Sequence, residues 1–183
     1  MFAVFLELGF DHILGGYDHL LFLAGLIIVA KDWRGLLPVI TAFTVTHSTT
    51  LVLSTLEIVS IDPAVTETLI AASIAYVGIE NLVMKEQRSR WLVAGVFGLI
   101  HGAGFSGHLT ELLRGVLDMG AIWGPLIGFN AGIELGQILV IALWIPIILG
   151  FRRLGKWDAL KPELSRVIAA VGVFLVISRV WEI

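Results

Sequence analysis

The sequence predicts an all-α protein, a polytopic membrane helix bundle. Charged residues make up only 15% of the chain, against about 25% in an ordinary soluble domain. The mean hydropathy is +0.94. Several apolar runs reach the roughly 17 to 25 residues that cross a bilayer as a helix. A bundle of this kind takes up all 183 residues, so residues 1–183 are expected to form a single transmembrane domain of about six spans.

The first span is expected from Asp11 to Ala30, ending at Lys31, Asp32, Trp33 and Arg34. Met1–Phe10 is too short to span. It is expected as an N-terminal interfacial segment or as one that packs back on the bundle, and without a basic residue it does not read as a cleavable signal peptide. The second span is expected from Leu36 to Ser60, with Pro38 in the first turn, where proline is tolerated. After a tight turn at Ile61, Asp62 and Pro63, the third runs from Ala64 to Met84. A polar loop, Lys85–Arg90, leads to the fourth, Trp91–Leu113. Arg114–Gly120 leads to the fifth, Ala121–Gly150. Phe151–Ser165 reads as the longest polar segment, and Arg166–Ile183 as the sixth and shortest span.

Basic residues orient such a bundle. Lys31 and Arg34 follow the first span, Lys85, Arg88 and Arg90 the third, and Arg152, Arg153, Lys156, Lys161 and Arg166 the fifth. Only Arg114 and Arg179 fall on the other side. Both termini are therefore expected outside. Gly124, Gly128, Gly132 and Gly136 form a zipper on the fifth span, and small residues so spaced let helix backbones meet in lipid. Asn130, Glu134 and Gln137 lie on roughly the opposite face. The absence of cysteine excludes disulfides and thiolate metal sites. A net charge of -3 without a basic stripe excludes nucleic acid as a partner.

All five histidines, His12, His19, His47, His101 and His108, fall within expected spans and none in a loop. Ionisable groups inside a membrane are costly and default to function. On an unbroken helix His12 and His19 would be ~10 Å apart in depth, too far to share one ion. Two layers result. His12 and His108 lie in an outer one with Asp11, Glu67 and Glu111 at similar depth. His19, His47 and His101 lie in an inner one with Asp18, Asn130 and Glu134. Imidazole and carboxylate without sulfur suit zinc, nickel, cobalt, iron or divalent copper. Asp18 is either a ligand or a partner that orients an imidazole. The glycines around His101 signal either close packing or a broken helix. The hydroxyls around His47 are expected to bond their own backbone. Glu80 and Asn81 read as an exit-side polar pair or a helix-end feature, and Gln137 as a pathway group.

Four stretches together resemble the HupE/UreJ family of hydrogenase and urease accessory membrane proteins. They are Gly9–Leu23, with His12, Asp18 and His19; Thr41–Ser48, with His47; Phe97–Phe105, with His101; and Phe129–Gln137, with Glu134. Ile13 stands where the better-characterised nickel-permease branch has proline, so the chain is more similar to the second branch. The resemblance implies a bacterial inner-membrane protein of six to seven helices, nickel or cobalt as the ion, and metal-site roles for His12, Asp18, His19 and His101. The expected partners are the metal ion and the lipid bilayer, with a homo-oligomer allowed. Three functions are compatible: a permease for a divalent transition metal, an intramembrane metal-dependent hydrolase, and a metal sensor or chaperone.

Overall fold

In the computed structural model, residues 1–30, 32–84, 89–104, 115 and 123–181 are described. Seven helices make up these residues, with no strand among them: α1 (Phe2–Gly15), α2 (Tyr17–Ile28), α3 (Leu37–Thr55), α4 (Pro63–Val83), α5 (Arg90–Ala103), α6 (Trp123–Arg153) and α7 (Trp157–Trp181). Among them α3, α6 and α7 are long and apolar enough to cross a membrane. α4 has 21 residues but carries Glu67, Glu80 and Asn81.

The first span differs from expectation. It begins at Phe2 and is broken at Gly16, whose extended backbone (φ -84°, ψ 94°) closes α1 and opens α2. The two helices run in succession alongside α6. Phe2 lies against Gly128, Leu6 against Gly132 and Ile13 against Gly136. At the far end the Ala30 carbonyl accepts from Arg152 at 2.7 Å. Of the two placements open to Met1–Phe10, the structure shows packing on the bundle, as the first half of this span. Hydropathy starts the span late because Glu7, Asp11 and His12 interrupt the apolar run; Glu7 and Asp11 are exposed.

Three helix pairs form the frame: α3 with α5, α1 with α6, and α4 with α7. Glycine makes each of them. A Cβ on Gly102 or Gly98 of α5 would strike the His47 or Phe43 backbone of α3. One on Gly132 would strike the Leu6 carbonyl, and one on Gly78 or Gly172 would enter the α4–α7 seam. In lipid, where apolar surface gains little from leaving its solvent, close backbone contact supplies much of the packing energy. The expected zipper on the fifth span is therefore realised at Gly128, Gly132 and Gly136, while Gly124 meets nothing within 4 Å. α2 sits among the pairs, and Phe22, Leu26, Ile40, Phe43, Ile74 and Ile168 form the core around it.

Two further boundaries move. Phe151–Ser165, read as a polar segment, is mostly helical: only a short turn with Gly155 at φ +66° separates α6 from α7. Hydropathy does not distinguish a polar loop from the polar turns of an amphipathic helix, and Glu163 and Arg166 pair along this one. α3 stops at Thr55, and Glu57 then takes a left-handed φ of 59°. Both glycine readings remained open at His101; through Ala103, α5 is unbroken and its glycines serve packing.

Candidate metal centre

The break at Gly16 changes the geometry of the first span's histidines. His12 ends α1 and His19 opens α2, and their rings meet edge-on with centroids 4.5 Å apart. The two-layer reading, with ~10 Å between them, is therefore corrected: it assumed one continuous helix. His47 joins from α3, with centroid distances of 5.8 Å to His12 and 6.0 Å to His19. One nitrogen from each of the three can be chosen so that all lie within 4.8 Å of one another. Imidazole nitrogens ~2.1 Å from one ion are at most about 4.2 Å apart, so small side-chain rotations close the set. His19 Nε2 is buried and has no hydrogen-bond partner among the described residues, as expected of a donor kept for an ion. The donor set therefore fits a divalent transition metal.

The pairing of helices delivers these side chains. α1 is fixed by the glycine face of α6. Gly102 lets α5 approach α3 at His47 itself. That contact brings His101 to the cluster, its ring 5.1 Å from that of His19. Both His47 and His101 are fully buried. The cluster lies near the middle of α3, and Ile13, one residue from His12, packs on Gly136 near the middle of α6. His12 is thus at mid-span and not near one surface, because its helix starts nine residues ahead of Asp11.

The carboxylates expected nearby are committed elsewhere. Asp18 accepts from Arg179 Nη2 at 2.8 Å, and Arg179 also donates to the Glu67 carbonyl at 2.6 Å. The Glu67 carboxylate lies 3.9 Å from Arg179 Nε. Glu134 accepts from Thr41 at 3.1 Å and Gln137 from Thr44 at 3.1 Å, while Ser48 bonds Asn130, making a polar ladder between α3 and α6. Thr46, Ser48, Thr49 and Thr50 also bond back to their own helix, as expected. Asp11 is exposed on α1. His108 and Glu111 lie outside the described residues.

At the other end of α2, Arg90 pairs with Glu80 at 3.2 Å and bonds Asn81. Arg90 also reaches the Gly25 and Leu26 carbonyls at 3.4 and 3.5 Å, and Asn81 donates to Gly25 at 2.8 Å. Carbonyls in the last turn of a helix need such donors and favour cations. So Glu80 and Asn81 belong to a buried clamp on the C-terminus of α2. Sequence reasoning counted Arg90 and Arg179 only for topology; a lone arginine at the end of the last span was the available signal. Between the histidines and this clamp runs a cavity lined by Ile13, His19, Phe22, Leu26, Ile40, Phe43 and Gln137, almost wholly apolar.

Apolar spans, glycine-made pairs and a partly buried histidine cluster define an integral membrane protein with a site able to hold a metal ion. The chain matches the family model described as HupE / UreJ protein over residues 1–183, and it belongs to that family. No curated protein and no solved structure matches it.

Proposed function

We propose that the protein is a permease for a divalent transition metal, nickel or cobalt, in the bacterial inner membrane with both termini outside. The observation that carries this reading is the convergence of His12, His19 and His47 where the first span is broken. Transporters build midplane ion sites on interrupted helices of this kind. Irregular backbone at membrane depth is tolerated where it is buried in protein or lines a water-filled cavity. The family supports nickel or cobalt as the ion, and the distribution of Lys and Arg supports the orientation. Neutral imidazoles bind a metal and protonated ones release it, so the site can couple metal to protons.

Three histidines around an open position would also suit a zinc hydrolase, which needs a carboxylate base within reach of the bound water. Among the described residues Asp18 is held by Arg179, Glu134 by Thr41 and Glu80 by Arg90, and no carboxylate joins the three-histidine group. That distribution favours binding and passage over hydrolysis. The test is uptake of nickel or cobalt into proteoliposomes holding a fluorescent metal indicator. Wild-type vesicles should fill, and His19→Ala and His47→Ala vesicles should not. Wild-type uptake no faster than that of empty liposomes would overturn the reading.

A further inference from the structure

Ser73 lies at the centre of α4, fully buried. Its hydroxyl oxygen is 2.6 Å from the Ile70 carbonyl and 2.9 Å from His101 Nε2. A serine hydroxyl has one proton to give. At 2.6 Å from a carbonyl oxygen that proton must lie between the two oxygens, since otherwise two sets of lone pairs would face each other. The serine oxygen is then an acceptor toward His101, and Nε2 carries the hydrogen. In a neutral imidazole this leaves Nδ1 as the bare nitrogen. His101 Nδ1 is buried and has no hydrogen-bond partner among the described residues. The two ring nitrogens point to different sides, so with Nε2 on α4, Nδ1 turns away from α4. The ring itself packs against His19. Imidazoles that ligate metals commonly donate their other N–H to a fixed acceptor, which sets tautomer and orientation.

We propose that Ser73 is a positioning residue that locks His101 in the Nε2–H tautomer and presents Nδ1 as a fourth imidazole donor to the His12–His19–His47 cluster. The proposal rests on the metal-binding reading above. His101 lies outside the group of three whose nitrogens already meet within 4.8 Å, so a shift of the neighbouring His19 ring toward it would complete a four-nitrogen site for a borderline-soft divalent ion, with Ser73 as the acceptor behind the fourth ligand.

Two measurements test it on the purified full-length protein in lipid. The first is nitrogen-15 NMR of histidine-labelled, metal-free protein, with the His101 signal assigned by its loss in His101→Gln. Wild type should show the Nε2–H tautomer, and Ser73→Ala a mixture. The second is titration with cobalt(II), followed by its visible absorption. Ser73→Ala should bind about 10-fold more weakly or worse, with a changed absorption envelope. Ser73→Thr, which keeps the hydroxyl, should recover most of the affinity. Circular dichroism and gel filtration select variants that fold, and His101→Gln serves in place of any that do not, with the same loss of affinity expected. An Nδ1–H tautomer in wild type, or cobalt binding unchanged in both Ser73→Ala and His101→Gln, overturns the proposal. Wild-type protein that shows the Nε2–H tautomer yet binds no cobalt overturns instead the metal reading beneath it, and the two failures are told apart by the NMR.

Discussion

The two ends of α2 are held by arginines in contrasting ways. At the N-terminus Arg179 grips Asp18 with side chains 18% and 27% exposed, and touches Glu67, whose side chain is 57% exposed. At the C-terminus Arg90, Glu80 and Asn81 are buried and share hydrogen bonds with the last turn of the helix. A partly exposed ion pair contributes less than a buried one, whose breaking leaves an uncompensated charge. The histidine site lies at the weakly held end. α2 therefore has a firm pivot at Gly25–Leu26 and a yielding end at Asp18–His19.

The sharpest way to break this comparison is at the pivot. Arg90→Ala should cost about 3–5 kcal/mol, since Glu80 is left buried and unpaired. Unfolding in mixed micelles would measure it, and Arg90→Ala with Glu80→Ala should recover much of the loss. Next in size is Gly16→Ala. Its backbone angles suit any residue, but the added Cβ would come within 2.6 Å of His19 Nδ1 and 2.9 Å of the His12 carbonyl oxygen. Stability should fall by about 1–3 kcal/mol, and metal affinity, read by cobalt titration, should fall roughly 10-fold or more as His19 is displaced. Arg179→Ala should cost only about 1 kcal/mol or less in the same unfolding assay. A loss as large as that of Arg90→Ala would erase the asymmetry. The smallest effect is that of salt. Between about 0.05 and 1 M, screening should shrink the difference between wild type and Arg179→Ala and leave that of Arg90→Ala nearly unchanged.

Much of this was legible in the sequence. Hydropathy located the helices after the first, the fourth as far as Ala103 with the rest of Trp91–Leu113 outside the described residues and the last from Arg166 onward, and the spacing of Gly128, Gly132 and Gly136 marked the face of α6 that α1 covers. The histidines stood out because no loop holds one. The break at Gly16 was not legible. Gly15-Gly16 is a turn signal on its own, but the apolar run on both sides overrides it, and the interruption shows only in the fold, where α1 lies on the glycine face of α6 and α2 is held by Arg90 and Arg179. The same limit applied to the carboxylates. Asp18 sits beside His19 in sequence, yet its partner, Arg179, is 161 residues away. Proximity along the chain left Asp18 open as a ligand or as a partner of an imidazole; the fold pairs it with an arginine.

The apolar cavity beyond His19 has a consequence for the cell that houses the protein. Its walls offer Gln137 and little else to a file of water molecules. Protons travel fast along hydrogen-bonded water and hardly at all through a stretch that will not wet. Along this cavity the apolar side chains of Phe22, Leu26 and Ile40 offer a proton no partner. The histidine cluster is therefore separated from the Arg90 end of α2 by a stretch that carries no proton-binding group along this route.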